Sequence, residues 1–77
     1  MFFFENKEIK KRKKELSLQP NDPAAHFNLG AAYNKAGKLH DAIKEFEKTI
    51  KGHPNSAEAH FNLGVLYESV NQGEKAI

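Results

Sequence analysis

Apolar and small side chains fall at helical spacing in successive windows of this chain. His26, Leu29, Gly30 and Tyr33 sit at i, i+3, i+4 and i+7, which places them on one face of a helix. Leu39, Ala42, Ile43, Phe46 and Ile50 form a second stripe and predict a helix from about residue 39 to 51. A third window, about 57–70, repeats the first. The punctuation agrees with these elements. Asp22 is a good N-cap, and Pro23 follows at the first helical position, where its missing N–H costs nothing. Ser56 takes the cap role for the third window, with Glu58 in its first turn. Gly37 is placed to end the first helix in a left-handed conformation, and Asn71 is its counterpart in the third. Gly52 with Pro54 stops the second.

The windows are copies. HFNLG at 26–30 recurs at 60–64, an offset of 34 residues. The same offset pairs Pro20-Asn21 with Pro54-Asn55, Ala25 with Ala59, Tyr33 with Tyr67 and Ala42-Ile43 with Ala76-Ile77, without insertion. Gly30 and Ala42 have a reason to be small, because antiparallel helices approach closely only where side chains are short. Tyr33 and Phe46 then fill the space on either side.

A 34-residue period carrying Leu29-Gly30, Tyr33, Ala42, Phe46 and Pro54, restarting at Leu63-Gly64, Tyr67 and Ala76, resembles the tetratricopeptide repeat family. The resemblance spans residues 20–77. It implies an all-α fold of about four helices, with helix-turn-helix repeats stacked as a short right-handed superhelical array. Two positions depart from the family pattern. His26 and His60 stand where a bulky aromatic usually opens the first helix, and Thr49 replaces a small residue late in the second; both are expected to loosen packing.

Three segments follow: an N-terminal half-repeat or capping helix with a basic run, residues 1–22; a complete repeat, 23–56; and a truncated repeat, 57–77, of one helix plus a stub. In the half-repeat, Ile9 and Leu16 sit one period before Ile43 and Ile50, and predict a helix over about 5–18. Glu8 and Arg12 replace Ala42 and Phe46, which suits a cap with water on one side. The third helix lacks a following partner, so Leu63, Leu66 and Tyr67 are expected to be partly uncovered. Either the chain is a piece of a longer array, or that face is covered by self-association, through helix exchange or end-to-end stacking.

Removing the packed face leaves a groove-lining set. On the first helix of the complete repeat it is Ala24, Phe27, Asn28, Ala31, Asn34 and Lys35. On the last helix it is Glu58, Phe61, Asn62, Val65, Glu68 and Ser69. An asparagine inside a helix is unfavourable by propensity, so its repetition at 28 and 62 asks for a role. An amide offers both donor and acceptor and can pair with an extended peptide's own N–H and C=O. The resemblance implies the same, since some members of the family carry such an asparagine ladder; the bland alternative is that each asparagine bonds to an adjacent helix. Phe27 and Phe61 suit an apolar peptide side chain or packing within the stack equally well. The clamp that some members use for acidic C-terminal peptides needs a basic residue where Phe27 stands and a polar one at Ala31, and Lys35 alone does not supply it.

Composition narrows the rest. The 77 residues are 39% hydrophobic and 29% charged with net charge +2, which fits a folded soluble chain and selects no partner. There is no cysteine, so disulfides, thiolate metal sites and a cysteine nucleophile are excluded, and the cytoplasm is the default location. MFFF is too short for a membrane span or a signal-peptide core. His26 and His60 without clustered carboxylates are a poor metal site, with His40 and His53 near loops. KKRKK, residues 10–14, covers every face of a helix and reads as a solvated cap; attraction to an anionic surface, with Phe2, Phe3 and Phe4 beside it, is the functional alternative. No nucleophile turn and no phosphate-cradling glycine loop is present. The expected role is non-enzymatic: a protein–protein interaction module holding a peptide or partner segment in its groove, without cofactor, metal, nucleic acid or stable membrane insertion. The alternative is a self-assembling repeat module that oligomerises through its uncapped C-terminal face.

Overall fold

In the computed structural model, which describes residues 6–75, four helices follow one another: α1 (Lys7–Leu18), α2 (Pro23–Lys35), α3 (Leu39–Gly52) and α4 (Ala57–Lys75). The principal packed pairs are α1–α2, α2–α3 and α3–α4, so the chain is an all-α array in sequence order. It is thin, 13 Å deep against 41 and 40 Å in the other directions.

Caps fix the helix starts. Asn6 accepts from the backbone N–H of Glu8 (2.8 Å) and of Ile9 (3.2 Å). Asp22 accepts from Ala24 at 3.0 Å with Pro23 behind it, and Ser56 Oγ accepts from the N–H of Ala59 at 3.2 Å. Between α2 and α3, Gly37 has φ +80°, and the Lys38 N–H reaches back to the Tyr33 carbonyl at 2.8 Å. This bond across the glycine closes the end of α2, and α3 returns along it.

Two apolar clusters hold the array. Ile9, Leu29 and Ala32 are buried between α1 and α2, with Leu16 and Tyr33 against them. Ala42, Phe46, Leu63 and Leu66 are buried where α3 meets α4, with Phe27, Leu39, Ile43 and Ile50 among the neighbours. Phe46 is fully buried. A Cβ added to Gly30 would lie 3.0 Å from the Phe46 ring, so this glycine is required by close approach. Thr49 does not loosen α3: it is buried, and its hydroxyl donates to the Glu45 carbonyl at 3.0 Å.

Gly52 ends α3 as expected, without a left-handed conformation, and a Cβ there would overlap the Pro23 ring, so its smallness also serves contact between α3 and the start of α2. Two expectations are corrected. Asn71 does not end α4, which runs on to Lys75 with no left-handed residue. A non-glycine in that conformation costs roughly 1–2 kcal/mol, and no helix folds back after Asn71 within the described residues to offset it. Leu63 and Leu66 are not uncovered: they are 4% and 2% exposed against α3. The third member of that set, Tyr67, is 48% exposed. The stub Ala76-Ile77 and the Phe2–Phe4 run lie outside the described residues.

Candidate functional site

On α2 the residues Ala24, Asn28, Ala31 and Lys35 form one exposed stripe, with Asn34 exposed next to it. On α4 the matching stripe is Glu58, Asn62, Val65 and Ser69, of which Asn62 is half-buried and the others exposed. Each stripe has helical spacing, and each residue stands one period from its counterpart. Glu68 is exposed beside the second.

Asn28 lies between two shallow hollows. One, about 250 Å³, is bounded by Glu15, Leu18 and Gln19 at the end of α1 and by Ala24 and Asn28 on α2. The other, about 170 Å³, runs from Ala24, Phe27 and Asn28 to His53, Ser56 and Glu58. The floor of the second is aromatic because Phe27 packs edge-on against Phe46, ring centres 5.3 Å apart. Phe27 is therefore a half-buried core residue that shows one edge to the groove. Its copy Phe61 is 70% exposed. Neither Asn28 nor Asn62 has a side-chain hydrogen bond within the described residues. The alternative reading, asparagines spent on bonds to adjacent helices, has no such bond to rest on.

Histidine chemistry here is structural. His26 Nε2 and His60 Nε2 donate to the carbonyls of Pro20 (2.9 Å) and Pro54 (2.7 Å), six residues earlier in each copy. Each ring ties its helix to the preceding loop. His26 Nδ1 also lies within hydrogen-bond distance of Glu45 Oε1, at 2.7 Å. Glu45 is buried despite its charge, and Lys48 stands 3.6 Å from its other oxygen. Among the described residues no three His, Asp or Glu side chains cluster as metal ligands would. No described helix is long and apolar enough to cross a membrane.

The basic run is more one-sided than its letters suggest. Arg12 is turned aside, bonded to Glu8 (2.7 Å) and Glu15 (2.9 Å), and the two carboxylates hold its guanidinium above its ordinary pKa. Lys10, Lys11 and Lys14 then join Lys7 at i, i+3, i+4 and i+7, an exposed stripe away from α2. Reasoning from five consecutive residues missed this because it left out Lys7 and the carboxylates flanking Arg12. It also missed Leu18, 74% exposed at the edge of the first hollow, whose signal was an apolar residue just past the Ile9–Leu16 stripe.

Paired helices joined by tight turns, stacked so that every second helix lines a shallow face, define a helix-turn-helix repeat array. A tetratricopeptide repeat model matches residues 13–44 and a TPR repeat model matches residues 32–71. The second match covers more than half of the chain, which belongs to the tetratricopeptide repeat family. Repeats of this family are generally non-enzymatic modules of protein–protein interaction. No curated protein matches the chain.

Proposed function

We propose that the chain is a non-enzymatic binding module, acting in the cytoplasm, whose α2–α4 face receives an extended peptide segment. The observation that carries this reading is the pair of unpartnered amides. Asn28 and Asn62 occupy the same place in successive copies, and neither is spent inside the fold. An amide so placed donates to a peptide C=O and accepts from a peptide N–H, which reads backbone and tolerates many sequences. The hollows on either side of Asn28 would take peptide side chains, with the Phe27 edge and Leu18 offering apolar contact. Ala31, Val65 and Ser69 keep the path between the amides low, and Asn34, Lys35 and Glu58 border it.

A peptide array tests the reading. Each neutral hydrogen bond contributes about 0.5–1.5 kcal/mol, so the double variant Asn28→Ala, Asn62→Ala should bind selected peptides roughly tenfold or more weakly. Its melting temperature should stay close to that of the parent, because neither amide bonds within the fold. Equal binding by the parent and the double variant would refute the groove reading.

A further inference from the structure

Charge is divided unevenly along the chain. The helix α1 carries six basic and two acidic residues, whereas everything outside it carries six basic and eight acidic. Within α1 the charge is also sorted by side. Ile9 is buried and Leu16 half-buried, and both pack with Leu29 and Ala32 of α2. Lys7, Lys10, Lys11 and Lys14 take the opposite side. All four are exposed, and none has an ion pair among the described residues. The two carboxylates of α1 lie off that side and are bonded to Arg12. Leu18, at the rim of the first hollow, stands four residues beyond Lys14 on the lysine side and is 74% exposed. In the sequence, Phe2, Phe3 and Phe4 precede the first of the lysines. Like charges at i,i+4, as in Lys7–Lys11 and Lys10–Lys14, destabilise a helix, and among the described residues nothing offsets that repulsion.

We infer that the outer side of α1 is a peripheral docking surface for an anionic lipid bilayer. The ammonium groups of Lys7, Lys10, Lys11 and Lys14 would lie among the anionic headgroups, and Leu18 would enter the boundary with the acyl chains. Charge complementarity alone would suit any polyanion. The apolar residues favour a bilayer, because they stand at both ends of the basic stretch and a soluble polyanion has no use for them. The acidic excess of the remaining chain is repelled by the same surface, so the array would meet the bilayer by its α1 edge. Docking there leaves the α2–α4 face open to solution and does not require a peptide in it.

The probe is phosphatidylcholine vesicles, with and without roughly one third phosphatidylserine, mixed with the full chain and read by flotation. Binding is expected to the anionic vesicles alone and should weaken as salt is raised. A lysine near such a surface is worth about fivefold in binding, so the variant Lys10→Gln, Lys11→Gln, Lys14→Gln should bind about a hundredfold more weakly. The variant Lys38→Gln, Lys44→Gln, Lys51→Gln removes the same charge elsewhere and should stay within about threefold of the parent. Leu18→Ser should weaken vesicle binding several-fold and leave any retention by polyglutamate unchanged. Melting temperatures should stay close to that of the parent, because all these side chains are exposed. Failure to bind the anionic vesicles, or equal losses in the two triple variants, would overturn the proposal. So would unchanged vesicle binding by Leu18→Ser, because the lysines would then recognise charge alone, as a soluble polyanion presents it.

Discussion

The pentapeptide HFNLG occurs in α2 and in α4, and the two copies live under different conditions. In α2 the glycine is pressed by Phe46, the phenylalanine packs on that same ring, and the histidine is hydrogen-bonded to Glu45. In α4 the glycine is open, the phenylalanine is exposed, and the histidine keeps only its bond to the preceding loop. What both copies retain is local or lies toward the preceding helix: the histidine–proline tie, and Leu29 and Leu63 buried. What differs is everything that needs the following helix. One side of the motif is therefore satisfied by the chain before it and the other by the chain after it.

Paired substitutions sharpen this contrast. The largest effect is expected from Phe46→Ala, which empties a fully buried site and should cost about 3–5 kcal/mol; urea unfolding followed by circular dichroism measures it. Phe61→Ala should change stability by less than about 0.5 kcal/mol. Equal losses for the two would erase the distinction. Next come the glycines. Gly30→Leu forces a side chain into the Phe46 ring and should cost roughly 1–3 kcal/mol. Gly64→Leu meets no neighbour and should stabilise α4 by up to about 1 kcal/mol through propensity alone, so the two melting temperatures should move in opposite directions. The smallest contrast lies at the histidines. His26→Ala removes one partner of a buried carboxylate and should cost about 1–2 kcal/mol, whereas His60→Ala gives up one exposed bond to Pro54 and should cost about 0.5–1 kcal/mol. If His60→Ala proved the more damaging, the bond between His26 and Glu45 would contribute nothing.

Much of the framework was legible in the letters, and the reasons are local. Asp22-Pro23, Gly37 and the 34-residue period write helix starts, a turn and a stacking register into short-range chemistry. Ile9 and Leu16 announce α1 as half a repeat by spacing alone. The misreadings share a cause, since each concerns a residue whose state depends on a distant or missing neighbour. Gly52 ends α3 as its place before Pro54 suggests, but its contact with Pro23 left no sign in one dimension. Asn71 matches Gly37 by position, but a left-handed turn needs something beyond it to reward the strain. Leu63 and Leu66 were assigned to the side of α4 that faces forward, whereas they face back to α3. The side turned away from α3 is His60, Phe61 and Gly64, while Tyr67 reaches back and donates to Glu47 of α3 at 2.7 Å. Glu45 carried no signal at all, because a glutamate on a helix gives no sign that a histidine 19 residues earlier will bury it. Of the groove, the asparagines could be picked out by repetition, while the division of Phe27 from Phe61 could not.

The 13 Å depth of the array has a consequence of its own. A globular chain that grows acquires an interior, and the buried share of its surface rises with size. A slab of constant depth does not: each added helix extends the sheet of helices sideways and brings its own edge with it. Cohesion in such a body resembles that of links in a chain more than that of a drop. A lesion in α3, which lies between α2 and α4, would cut the array in two, whereas the same lesion in α4 would subtract little beyond α4 itself.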